Sequence, residues 1–191
     1  MIHITRANKR KLVLYGIILL IAYAIFSSGY SSHRSETTIA NAKPEDVWEF
    51  VADFSKMKLL NPTILDFYIT SDTGNADHWK YSVAYKEKLA YWPHWQNHGE
   101  AQISVKKLPQ SKGGHLSVDS THRTCFLYGL YCLRAEGSFS FSPNPTGGTH
   151  VVETVHFQCP PFLGRFCRAE VQFQRNAIMN NLSYQFNRHL L

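Results

Sequence analysis

Glu153 stands with Val151, Val155 and Phe157 on one parity of an alternating stretch. If that parity faces an apolar interior, burial disfavours the charged carboxylate and raises its pKa. A group of that kind moves a proton or recognises a ligand hydroxyl. The plainer alternative reads the pleat one residue out and leaves Glu153 in solvent. His156 has the opposite parity, so only one of the two faces inward. His94 and His98 have the spacing of metal ligands on a helix, but Pro93 puts them in a turn and no acidic third ligand adjoins them. No metal site is expected there. The ten histidines are scattered, and the chain has no Gly-rich phosphate loop, nucleophile elbow or Cys-x-x-Cys. No cofactor is expected. With no nucleophile–base pair, binding is favoured over catalysis.

The four cysteines are Cys125, Cys132, Cys159 and Cys167. Cys125 and Cys132 bracket a hairpin loop, and Cys159 and Cys167 could join the last strand to the following helix. That pairing is one of three possible. Asn181-Leu182-Ser183 is an N-glycosylation acceptor pattern. Both features suit an oxidising, secretory compartment.

The elements that must position these residues follow from periodicity. Pro44, Glu45 and Asp46 suit a helix N-terminus. Val47, Trp48, Phe50, Val51 and Phe54 then recur at helical spacing, and Asn61-Pro62 ends that region. Before it, only Thr37–Ala40 reads as a short strand. Strands are expected at 65–71, 78–89, 100–108, 116–124, 133–141 and 151–158. Their one-sided alternation is that of an antiparallel sheet with one covered face. Pro160-Pro161 closes the sheet, and 162–190 reads as a long helix with Cys167, Val171, Ile178, Leu182 and Phe186 as its stripe. Arg175 is placed beside that stripe. The class is α+β.

The chain has 191 residues and a formal charge of +6. Arg6, Lys9, Arg10 and Lys11 precede the first apolar run, which leaves 16 basic against 14 acidic residues (20 − 4 against 14). A nucleic-acid reader carries its charge as a patch on the folded domain, so no nucleic-acid partner is expected. Leu12–Tyr30 is 19 residues without charge, near the ~20 that cross a bilayer. The expected organisation is a basic tail (1–11), a transmembrane signal-anchor helix (12–30), a Ser-rich linker (31–35) and a domain (36–191). Basic flanking residues stay cytoplasmic, which places the domain in the secretory lumen or outside the cell. A cleaved signal peptide ending near Ala22-Tyr23-Ala24 is the rival, and a buried helix a third reading.

Thr38-Ile39-Ala40-Asn41-Ala42-Lys43-Pro44-Glu45-Asp46-Val47-Trp48-Glu49-Phe50-Val51-Ala52-Asp53-Phe54, with Asn61-Pro62 after it, resembles the opening of START-like proteins. That superfamily takes in polyketide cyclases, coenzyme Q-binding proteins and the birch-pollen-allergen group. The resemblance is detailed over about 25 residues and extends in element order over 36–191. It implies a helix-grip fold, with a curved sheet of about seven strands around the C-terminal helix and an apolar cavity between them. The residues expected to line that cavity are Tyr81, Tyr85, Ile103, Phe139, Phe141, Glu153, Val155, Val171 and Ile178. The partner it implies is a lipid or other apolar small molecule, bound or transferred. A cyclase- or aromatase-type enzyme working on a polycyclic substrate in the same cavity is the alternative.

Alternate loops of a meander fall at one end of the sheet. One end receives polar turns at 72–75, 109–114 and 143–148, as a wet surface favours. The other receives Tyr91, Trp92 and Trp95, then Phe126, Tyr128 and Tyr131, then Pro160–Leu163. Trp and Tyr favour the headgroup zone of a bilayer. These loops are therefore candidates to dock on a membrane around the cavity mouth. The plainer alternative packs them on each other and on the last helix.

Overall fold

The computed structural model describes residues 6–27, 29–75, 77–108 and 115–187. The expected turn at 109–114 and the end of the expected helix, 188–190, lie outside them. Helix α1 spans Arg6–Phe26 and strand β1 Gly29–Ile39. Helices α2 (Pro44–Ala52) and α3 (Phe54–Leu60) follow. Strands β2 (Ile64–Gly74), β3 (His78–Lys88), β4 (Gln96–Lys107), β5 (Leu116–Phe126), β6 (Tyr131–Pro143) and β7 (Thr149–Cys159) lead to helix α4 (Gly164–Asn187). Single 3₁₀ turns at Leu127–Gly129 and Pro161–Leu163 interrupt the path.

The sheet has seven antiparallel strands in the order β1-β7-β6-β5-β4-β3-β2. Consecutive strands pair from β2 to β7, and β1 returns to close the far edge on β7. Together with α4 this is a helix-grip α+β fold. The core gathers Val47, Trp48 and Val51 of α2, the inward residues of β3 to β7, and Ile178 and Leu182 of α4. Trp48 meets Trp79 edge-on at 5.5 Å and donates its indole N–H to the Ser117 carbonyl at 3.1 Å. Asp53 separates α2 from α3 because its carboxylate accepts from the Ser55 N–H at 2.8 Å, which caps the second helix. Gly148 is required where it stands. A Cβ there would collide with the Ile39 carbonyl, and its φ is +83°.

Two expectations are corrected at the N-terminus. The segment expected as a linker, 31–35, belongs to an 11-residue strand. Its inward positions are Ser31, His33, Ser35 and Thr37, so it alternates in burial but not in hydrophobicity. α4 packs on this strand, and Thr37 and Ser183 hydroxyls lie 3.0 Å apart across the contact. The transmembrane helix expected over 12–30 is not present as such. Among the described residues no helix is long and apolar enough to cross a membrane. α1 ends at Phe26 and its first turns are basic. Its uncharged part, Leu12–Phe26, is about 22 Å long at 1.5 Å per residue, short of a hydrocarbon core of about 30 Å.

Candidate functional site

Beneath α4 the sheet curves around a cavity of about 410 Å³. Sites for small organic ligands occupy roughly 300–1,000 Å³. Tyr81, Tyr85, Ile103 and Phe139 line it from the middle strands. Glu153 and Val155 line it from β7, and Val171 and Ile178 from α4. Phe141 does not reach it. One pleat step beyond Phe139, it is buried in the core opposite Leu116 and stacks on Phe139 at 6.1 Å.

Glu153 is 1% exposed, so its parity is the inward one and His156 is the exposed residue. Arg175 reaches it from α4, with Nη1 donating to Oε1 at 2.5 Å. Burial still pushes the Glu153 carboxyl above its ordinary value, although Arg175 acts in the opposite direction. Arg175 belongs to the inward stripe: it lies four residues after Val171 and three before Ile178, which puts all three on one helical face.

Further polar groups line the cavity beside this ion pair. Glu87 on β3 faces Asn97 on β4 in register, and the Thr124 hydroxyl donates to Glu87 Oε1 at 3.5 Å. Burial pushes the Glu87 carboxyl up to about 7, against the pull of Arg175. The Tyr85 hydroxyl and His122 Nδ1 hydrogen-bond at 3.1 Å. Burial, with Arg175 adding to it, holds His122 down to about 4, so the ring is neutral at physiological pH. The parity of β3 (Tyr81, Tyr85, Glu87) and β5 (Val118, Ser120, His122, Thr124) would have assigned these groups inward. Tyr85 is flagged by apolar patterning, but Glu87, Asn97, His122 and Thr124 are not, because they are polar residues on apolar parity.

Gly99 makes the Tyr85 arrangement possible. The Tyr85 ring lies over it, and a Cβ there would collide with the ring. Gly99→Val is expected to expel Tyr85 and break its bond to His122. Burial is the main cause of the His122 shift, so a ring opened to solvent by the departure of Tyr85 should titrate closer to its ordinary value of about 6.5. Proton NMR of the imidazole against pH checks this, and an unchanged titration would show that Tyr85 does not depend on the gap.

The aromatic loops surround the cavity mouth. Lys88 pairs with Gln96, Phe126 with Tyr131 and Gly29 with Cys159, so the loops after β3, β5 and β7 and the start of β1 share one end. Trp92, Trp95, Phe126, Tyr131 and Leu163 line the opening. Packing and exposure meet in Trp92: it lies on Phe166 of α4 at 5.0 Å, yet more than half of it is exposed. Tyr91 lies outside the cavity lining and packs edge-on to Phe166 and Phe173. Glu170 of α4 holds this loop by accepting the Ala90 N–H at 2.8 Å and the Tyr91 N–H at 3.4 Å. Leu127 and Tyr128 adopt positive φ of 51° and 57°, a conformation that costs of order 1 kcal/mol or more for such residues. It turns Tyr128 fully outward, and Leu127 and Leu130 are exposed beside it.

Disulfides join Cys125 to Cys132 across the β5–β6 hairpin and Cys159 to Cys167 between β7 and α4. Asn181 is unsuited to carry a glycan in this fold. It lies within α4, and its Nδ2, the atom a glycan would occupy, donates to the Leu60 carbonyl at 2.8 Å.

The sequence profile of the family described as polyketide cyclase/dehydrase and lipid transport matches residues 32–182. No curated protein matches the chain. Among solved structures, a protein of Thermus thermophilus is similar at 17% identity with a TM-score of 0.54, covering 83% of this chain and 99% of that one. A START superfamily protein from Mycobacterium smegmatis is similar at 14% identity and TM-score 0.52, over 85% of this chain and 99% of that one. Norcoclaurine synthase from Thalictrum flavum, in complex with dopamine and hydroxybenzaldehyde, is similar at 12% identity and TM-score 0.53, over 88% of this chain and 92% of that one. At these identities the likenesses show the fold. A sheet wrapped around a hollow under the last helix and a profile spanning most of the sequence agree: the chain belongs to the polyketide cyclase/dehydrase and lipid transport family, with a START-like fold.

Proposed function

We propose that this protein binds a lipid or other apolar small molecule in the cavity and exchanges it with a membrane at the aromatic mouth. The observation that carries the reading is the continuity of the hollow with an apolar rim. Ile103, Phe139 and Ile178 lie inside, and Trp92, Trp95 and Leu163 ring the opening. Around that opening Tyr91, Leu127, Tyr128, Leu130 and Phe162 are exposed. A concentration of large apolar side chains at one end marks an interaction surface. Tyr and Trp suit the interfacial zone, where one edge is apolar and the other wet.

Membrane attachment by α1 is part of the proposal. Its residues Leu12 to Ile21 are exposed on every face, and α1 touches the Pro161–Leu163 turn at the mouth. Embedded without crossing, this helix would hold the mouth against the bilayer. The basic residues before it suit anionic headgroups. The two disulfides support an oxidising compartment for the domain.

The test is extraction of a fluorescent apolar lipid from vesicles by the full chain. Trp92→Ala with Trp95→Ala is expected to slow extraction at least fivefold. Equal rates would remove the mouth from the exchange route. A second reading, proton-transfer catalysis on a ligand in the same cavity, is favoured by the paired Tyr85 and His122 and by a Glu87 poised near neutral pH.

A further inference from the structure

Asn97 is 1% exposed, lines the cavity, and neither Oδ1 nor Nδ2 has a hydrogen-bond partner. A buried amide left so is destabilising unless a ligand supplies its partners. Its register partner is Glu87, and both side chains face the cavity. Cross-strand neighbours hold their Cβ atoms roughly 4.5–5.5 Å apart, within reach of one small polar group. We propose that Glu87 and Asn97 form a subsite for a protonated amine, so that the preferred ligand is an amphiphile with an ammonium head and an apolar body. This inference rests on the cavity being a ligand site.

The charges facing the cavity support a cation over an anion. Glu153 is matched by Arg175. Glu170 is held by the Ala90 and Tyr91 N–H groups and by Gln174 Nε2 at 3.2 Å. Arg134 reaches the rim but is exposed. His122 is neutral at physiological pH, and Tyr85 keeps its proton because burial raises it. Glu87 has only the long bond from Thr124, with Arg175 drawing it toward ionisation and Glu170 opposing. Glu153 also keeps a buried Oε2 without a partner among the described residues, but its charge is matched by Arg175, whereas Glu87 has acceptor capacity left over and no ion-pair partner among those residues. An ammonium offers three donors and no acceptor. Two can go to Glu87 and one to Asn97 Oδ1. A carboxylate or phosphate head would instead meet Glu87, Glu153 and Glu170 around one arginine. Trp95 and Tyr131 at the opening add rings over which a cation is attracted. The apolar body then lies on Ile103, Val118, Phe139 and Ile178, deeper along the same strands and helix.

The experiment compares three probes of one chain length on the full-length protein: dodecylamine, dodecanol and dodecanoate, each displacing a fluorescent apolar dye at pH 7.5. Dodecylamine is expected to bind at least tenfold tighter than dodecanoate, with dodecanol between them. Glu87→Gln should cut the dodecylamine affinity about tenfold and leave dodecanol within twofold. This variant is isosteric and removes a buried carboxyl, so folding is not at risk. Asn97→Leu should weaken dodecylamine as well. Equal or tighter binding of dodecanoate overturns the subsite but leaves the cavity reading standing, as does an equal effect of Glu87→Gln on all three probes. Failure of all three to bind overturns both.

Discussion

Arg175→Met should lower folding stability by about 3–5 kcal/mol at pH 8. It strands Glu153, 1% exposed, without its countercharge, and breaking a buried pair from one side carries that cost. The loss should shrink on acidification. The folded-state pKa of Glu153 is already raised, and removing Arg175 raises it further. The folded state then keeps a proton that the unfolded chain releases near pH 4.5. Stability that depends on this proton is present below the unfolded value and is lost as pH rises toward the folded one. Urea denaturation at pH 5 and pH 8 measures the difference. An equal loss at both would mean that Arg175 acts through packing alone. The double variant Glu153→Leu with Arg175→Met removes both charges and should recover most of the loss, because a buried ion pair replaced by apolar groups is often neutral or stabilising.

The second large effect is on ligand retention. Ser120 is a small residue on the cavity wall, and its hydroxyl makes only a 3.4 Å bond to the Gly137 carbonyl. Ser120→Phe directs a ring into the hollow and should reduce binding of apolar ligands at least tenfold. The stability change reports on the hollow itself. In a filled core, added bulk costs about 1–3 kcal/mol. Over a cavity of about 410 Å³ the ring covers apolar wall and the change should be near zero or favourable. Thermal unfolding of the ligand-free variant gives the sign. A destabilised variant that still binds ligand as before would contradict the cavity assignment.

Much of the fold was legible because its elements carry strong periodic signals. β3 alternates through Trp79, Tyr81, Val83 and Tyr85, and α2 repeats Val47, Trp48 and Val51 at helical spacing. Only the end of β1, from Thr37, is legible as a strand, because an edge strand packed on a helix needs polar inward groups that fit the contact more than apolar ones. Ser31, His33 and Ser35 meet that need while reading as a linker. The site was half legible for a related reason. Its apolar lining follows from parity, but Glu87, Asn97, His122 and Arg175 are polar residues on inward positions. Glu153 gave the same ambiguity, and in sequence the plainer reading put it in solvent. Local rules fail at positions such as these, where a binding site replaces packing. The membrane segment was over-read because hydrophobicity alone does not show where a helix ends. The uncharged run continues to Tyr30, but the last residues join the sheet.

Native mass spectrometry of the full chain, isolated in mild detergent from the cells that make it, tests the central claim most directly. The account predicts a bound apolar molecule of defined mass in the wild-type protein and its absence or strong depletion in Ser120→Phe. A ligand-free wild-type protein that also fails to take up any added apolar compound would contradict it.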